Sequence, residues 1–165
     1  ELALKTSVPM VCDADAINLI ASGVVTVSGA GPRVLTPHPG EAARLAGCAV
    51  LDIEADRLGS AKRLALQTQS TIALKGAGTV VAAPTPDALP IICCHGNPGM
   101  ATGGMGDVLA GLIGALLAQR LEPTAATAIA VGAHAEAADM AWQEQGVGLT
   151  PTDVVERLGG VLTQI

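Results

Sequence analysis

The sequence contains no Phe and no Tyr, and Trp142 is its one tryptophan. A core without other aromatic rings must be filled by Ala, Val, Leu and Ile, which suits helices packed closely on a parallel sheet. Charged residues are also scarce, at 15%, while half the residues are apolar, so intrinsic disorder is not expected. Basic residues number nine against fifteen acidic ones, a formal charge of −6. No basic stripe is present to release counterions from phosphates, which argues against a nucleic-acid partner. Nor is a membrane expected: there is no polybasic helix, and the longest apolar run, residues 108–118, falls well short of a span. The basic, apolar and small-residue order of a signal peptide is missing too. The cysteines (Cys12, Cys48, Cys93 and Cys94) form no Cys-x-x-Cys pair. They read as reduced thiols of a cytoplasmic protein, acting as small apolar side chains.

What is present fits one domain over residues 1–165. The 20 Gly and 10 Pro are scattered, which implies many turns and not low complexity. Residues 8–12 read as a short buried strand stopping at Asp13, with a helix near 16–21 and a strand or turn at 24–27. Residues 34–36 form another strand closed by Pro37, and a helix starts at Gly40. Residues 52–68 have the periodicity of one amphipathic helix, with Ile53, Leu58, Ala61, Leu64 and Ala65 on one face and Asp56, Lys62 and Arg63 off it. Residues 71–75 and 79–83 predict a hairpin around Gly-Ala-Gly, and 91–94 a further strand after a loop at 84–90. Helices are expected over 107–119 and 123–144, and a last one capped by Thr150 with Pro151 in its first position. Strands alternating with helices predict an α/β fold with a mostly parallel sheet. The opening residues 1–5 read as already helical, without a start signal, so the chain is expected to be the C-terminal portion of something longer.

Three segments carry chemistry. In Asn97-Pro-Gly-Met-Ala-Thr-Gly-Gly-Met-Gly-Asp107, a glycine-rich turn feeds a helix, leaving backbone N–H groups unpaired with the positive end of the helix dipole behind them. Gly103, Gly104 and Gly106 then form an anion nest suited to phosphate, and Asp107 beside it supplies a base for a hydroxyl proton. The plainer reading makes the glycines a tight turn and Asp107 an N-terminal cap. In Leu35-Thr-Pro-His-Pro-Gly-Glu41, two prolines hold His38 and Glu41 at the carboxyl end of a strand, where open α/β sheets place ligands. An ordinary loop histidine and a dipole-favoured acid explain that segment equally well. In Leu74-Lys-Gly-Ala-Gly-Thr79, Lys75 and Thr79 are placed to reach a phosphate or ribose, or the segment is simply a hairpin turn. Asp13 and Asp15 either orient a metal-bound water or end the first strand.

Taken together, VCDADAINLIA (residues 11–21), LTPHPGEAARL (35–45), ALKGAGTVVA (73–82) and GNPGMATGGMGDVLAGLIGALLAQ (96–119) closely resemble the bacterial ADP-dependent NAD(P)H-hydrate dehydratases of the ribokinase-like superfamily. The resemblance runs over nearly the whole chain, and NPGMATGGMGD followed by VLAG is its most specific part. It implies a ribokinase-like three-layer sandwich whose N-terminal part is missing here. It also implies ADP-dependent dehydration of the S epimer of hydrated NADH or NADPH, with release of AMP and phosphate. Lys75, Gly76, Ala77, Gly78, Thr79 and Gly106 would line the adenine nucleotide site, His38 and Asp107 would contact the hydrated dinucleotide, and Asp107 would be the catalytic base. Glu41 falls where related kinases organise magnesium through water, with His38 in the place of their Asn, so Mg2+ is expected along with ADP as co-substrate. A homo-oligomer and an NAD(P)H-hydrate epimerase, fused or separate, are the expected partners. Two rivals share these features: a small-molecule kinase of the same fold, of the hydroxymethylpyrimidine or thiazole type, and a non-catalytic nucleotide-binding module.

Overall fold

The computed structural model describes residues 6–26 and 31–164. Its strands β1 (Met10–Cys12), β2 (Arg33–Leu35), β3 (Thr71–Leu74), β4 (Thr79–Ala82) and β5 (Ile91–Cys93) form one sheet in chain order. The pairs β1–β2 and β2–β3 are parallel, while β3–β4 and β4–β5 are antiparallel. Four strands therefore run one way and β4 alone runs against them, as the Gly-Ala-Gly hairpin requires. Each strand is short, and the central strands β2, β3 and β4 alternate between two buried faces, while β5 is largely exposed at the edge. Leu35, Ile72, Leu74, Val80 and Ala82 point into one apolar cluster, and Val34, Ala73 and Val81 into the other.

Helices cover both faces, giving the three-layer α/β architecture expected of a ribokinase-like fold. On the first face lie α1 (Asp15–Ala21), α2 (Pro39–Ala46), α3 (Val50–Ala55) and α4 (Arg57–Thr68), through Ile17, Leu45, Ile53 and Leu64. On the second lie α5 (Met105–Ala118), α6 (Pro123–Gln145) and α7 (Pro151–Leu162). The buried side of α6 is mostly alanine (Ala126, Ala130, Ala133, Ala135, Ala137, Ala138 and Ala141), interrupted by Thr127, Val131 and His134. Small side chains let a helix axis approach its neighbours closely, so this fold fills its interior without phenyl rings.

Several boundaries differ from the sequence expectation. Residues 52–68 are two helices, broken at Asp56 (φ −142°, ψ 72°), whose Oδ1 accepts from Gly59 N at 2.9 Å and caps α4. The break turns Leu58 outward, to 43% exposure, while Ile53, Ala61, Leu64 and Ala65 stay buried. Helix α5 starts two residues earlier than predicted, so Asp107 is its third residue and not its cap. Thr150 caps α7 as expected, its hydroxyl accepting from Asp153 N at 3.4 Å, with Pro151 first in the helix. Residues 24–26 form no strand, and Val27 and the helical reading of residues 1–5 lie outside the described residues. Of the cysteines, all free, Cys12 is buried, whereas Cys48 and Cys94 are exposed and are not core side chains. Among the described residues no helix is long and apolar enough to cross a membrane.

Candidate functional site

The carboxyl ends of β1, β2 and β3 lie side by side because those strands are parallel neighbours. Each ends in a polar residue flagged in the sequence: Asp13 after β1, His38 and Glu41 after β2, Lys75 after β3. Lys75 Nζ donates to Asp13 Oδ1 at 2.7 Å and lies 4.0 Å from Glu41 Oε2. The Lys75 backbone N–H donates to Pro37 O at 2.8 Å, tying the end of β3 to the loop that carries His38. His38 and Glu41 form a capping box at the start of α2. His38 Nδ1 accepts from Gly40 N (3.0 Å) and Glu41 N (3.4 Å), and Glu41 Oε2 accepts from His38 N (2.8 Å). With its Nδ1 lone pair committed to these amides, a neutral His38 carries its proton on Nε2. The His38 side chain is half exposed, and that of Glu41 is nearly buried.

The turn Lys75–Thr79 is shaped by a residue the sequence reading missed. Arg57 Nη2 donates to Leu74 O and Lys75 O at 3.2 Å and to Gly78 O at 3.4 Å. A Cβ on Gly76 would stand 2.9 Å from this guanidinium, so the glycine is what admits the clasp. Nothing in local sequence signals it, because Arg57 belongs to a helix on the outer layer.

The glycine-rich loop is held from α6. Asp139 accepts from Gly96 N through Oδ2 and from Asn97 Nδ2 through Oδ1, both at 2.9 Å, and Asn97 Oδ1 accepts from Gly99 N at 3.0 Å. Residues Pro98–Met100 form a 3₁₀ turn, and a Cβ on Gly99 would fall 2.7 Å from the Trp142 ring. Gly104, at φ 93°, caps α5 in a left-handed conformation, with Pro151 closing the space where its Cβ would go. Gly106 sits in the first turn, where an added Cβ would be 3.4 Å from both Asp13 Oδ2 and Lys75 Nζ. The N-terminus of α5 thus faces the same ion pair as the strand ends. Asp107 follows directly; it is exposed, and its carboxylate has no hydrogen bond or ion pair among the described residues.

Between the turn and the loop lies a cavity of about 750 Å³, within the range of small-molecule sites. Lys75, Gly76, Ala77, Gly78, Thr79 and Gly106 all line it. Gly103, Gly104, His38, Glu41 and Asp107 do not line it; Glu41 adjoins it through Lys75, and Gly104 and Asp107 adjoin it in the chain at the start of α5. The reading missed His134 on α6, which also lines the cavity, because a histidine within an alanine run makes no motif. Among the described residues no three His, Cys, Asp or Glu converge as metal ligands, so a magnesium ion held by protein groups alone does not fit. Two carboxylates beside Lys75, those of Asp13 and Glu41, do fit a hydrated magnesium ion carried on a ligand's phosphates.

Comparison with known proteins gives the family and the fold. A family model described as NAD(P)H-hydrate dehydratase matches residues 1–159. The bifunctional NAD(P)H-hydrate repair enzyme of Escherichia coli (strain K12) is 54% identical over 151 residues, which cover 91% of this chain and 28% of that protein. The ADP-dependent (S)-NAD(P)H-hydrate dehydratase of Neisseria meningitidis serogroup B is 39% identical over 149 residues, 88% of this chain and 50% of its own length. The chain therefore spans half or less of these curated relatives. The crystal structure of the ADP/ATP-dependent NAD(P)H-hydrate dehydratase from Bacillus subtilis, co-crystallised with ATP/Mg2+ and soaked with CoA, superposes with a TM-score of 0.85 at 32% identity, covering 98% of this chain and 58% of that one.

Proposed function

The chain belongs to the NAD(P)H-hydrate dehydratase family, and on that premise we propose that it takes part in ADP-dependent dehydration of the S epimer of hydrated NADH and NADPH, yielding the reduced dinucleotide, AMP and phosphate. The observation that carries this reading is the shared cavity, where the Lys75–Thr79 turn and the start of α5 enclose one space. Phosphates enter beside the early N–H groups of α5, which have no intrahelical partners, and beside the Lys75 ammonium. A nucleoside diphosphate placed there has its terminal phosphorus near the first turn of α5, to which Asp107 belongs.

In this reading Asp107 takes the proton of the substrate hydroxyl as that oxygen attacks the β-phosphorus and AMP leaves. The amides around Gly103, Gly104 and Gly106 stabilise charge on the transferring group. The ring nitrogen then expels phosphate with its lone pair, and a proton leaves the neighbouring ring carbon to restore the double bond. Asp107 suits the role because no protein group competes for its carboxylate among the described residues. His38, half exposed and with its Nε2 edge 3.4 Å from Glu41 Oε1, is assigned to the dinucleotide. Mg2+, when bound, would neutralise phosphate charge, with Asp13 and Glu41 holding its waters. We place the protein in the cytoplasm, as a homo-oligomer working with or fused to an NAD(P)H-hydrate epimerase. The bifunctional relative supports the last of these.

The test is incubation with hydrated NADH and either ADP or ATP, followed by chromatography. Consumption of ADP with AMP, phosphate and NADH appearing supports the proposal. Phosphate retained on an organic product would make the protein a kinase, and ATP consumed with ADP ignored would overturn the choice of donor.

A further inference from the structure

Helix α6 presents to the interior a run of residues that includes Ala126, Thr127, Ala130, Val131, Ala133, His134, Ala135 and Ala137. Two of them are polar, and they are treated differently. Thr127 returns its hydroxyl to Pro123 O at 2.7 Å and is satisfied within its own helix. His134 is 5% exposed, and its Nε2 is buried with no hydrogen-bond partner among the described residues. An unmade hydrogen bond in an interior is destabilising, and an apolar side chain would serve the packing better. The histidine is out of keeping with everything around it unless its partner comes from outside the chain.

Its position says where that partner binds. His134 lines the cavity whose other end is the Lys75–Thr79 turn and Gly106, and around it the wall is apolar: Met100, Leu109, Val131 and Ala135. Gly96, Met100 and Ala135 adjoin one another there, since a Cβ on Gly96 would lie 3.0 Å from Met100 Sδ and 3.9 Å from Ala135 Cβ. The cavity thus has a polar, glycine-rich part suited to phosphates and an apolar part into which α6 sets the buried His134, with the exposed His95 also on the lining. A flat heteroaromatic base matches the second part, filling the apolar walls and offering ring nitrogens and an amino group at its edge. We infer that His134 hydrogen-bonds the purine base of the nucleotide bound in this cavity. The inference rests on the reading that the cavity takes an adenine nucleotide, and it names the residue that selects the base. Burial pushes the His134 pKa down to about 4, so the ring is neutral at ordinary pH and offers one donor and one acceptor.

The experiment is calorimetric titration of ADP and of UDP into the protein and its His134→Leu and His134→Gln variants, with thermal melts as a folding control. The parent is expected to prefer ADP over UDP. His134→Leu should lose at least tenfold in ADP affinity, losing most of that preference, while melting at a higher temperature because the buried unmade bond is gone. His134→Gln, which keeps a hydrogen-bonding group in the same place, should retain part of the preference and guards against a misfolded Leu variant. Equal ADP affinity in parent and His134→Leu would overturn the inference, as would a variant that keeps ADP and loses only the hydrated dinucleotide. A parent that binds no adenine nucleotide would instead sink the functional reading on which the inference depends.

Discussion

A histidine inside an alanine-rich helix titrates against its surroundings. His134 has its pKa pushed down by burial from 6.5 to about 4. The unfolded chain therefore takes up a proton below the ordinary value that the folded protein refuses until much lower pH. Stability contributed by the neutral ring is complete above the unfolded pKa and is lost as pH falls towards the folded one, at full extent about 3 kcal/mol. Urea unfolding at about pH 7 and about pH 4.5 should show parent stability dropping more than that of His134→Leu; parallel slopes would mean that the ring charges without penalty. Asp107 is the opposite case, an exposed carboxylate with nothing holding it among the described residues. Asp107→Asn keeps shape and removes the base, so turnover should fall by a factor on the order of 10²–10⁴ while ADP still binds. Turnover near the parent rate would disqualify it.

In the proposed reading, phosphate binding depends on the first turn of α5. Within this turn Gly104 carries the positive φ, and Gly106 is helical. What matters at Gly106 is proximity to Asp13 and Lys75. A β-branched side chain there would push into the ion pair, and Gly106→Val is expected to weaken ADP binding at least tenfold, about 1.4 kcal/mol, with melting little changed. Unchanged affinity in a folded variant would move the phosphate site elsewhere. Elements of this kind were legible in the sequence where local chemistry declares them. Pro37 and Pro39 frame the His38–Glu41 cap, Gly76 and Gly78 mark the hairpin, and Thr150 with Pro151 starts α7. They were illegible where a distant contact or a backbone angle decides. Apolar periodicity runs straight through Asp56, whose cap splits the helix, and Gly104 hides the true start of α5 behind apolar Met105. Arg57 reaches the site from α4, and Asp139 and His134 reach it from α6, so their roles appear only once the chain is folded.

At the scale of the whole molecule the site is a meeting of distant segments. Asp13 and Lys75 pair across 62 residues of chain, and Gly106 closes on them from the opposite helical layer. The two layers are joined through a sheet of short strands and a core of aliphatic side chains, where substitutions that add volume are poorly tolerated. That absence of aromatic rings has a further, optical consequence. With no tyrosine and one tryptophan, the near-ultraviolet emission of the chain comes from Trp142 alone. Its ring lies against Gly99 in the same loop whose Asn97, Pro98 and Met100 line the cavity. A ligand entering the cavity should therefore change the colour or brightness of that emission, and titration in a fluorimeter should track ADP occupancy without any added dye. Emission unmoved by saturating ADP would mean that the loop does not respond to its ligand. The lone indole makes the protein its own lamp, set beside the loop that borders the cavity.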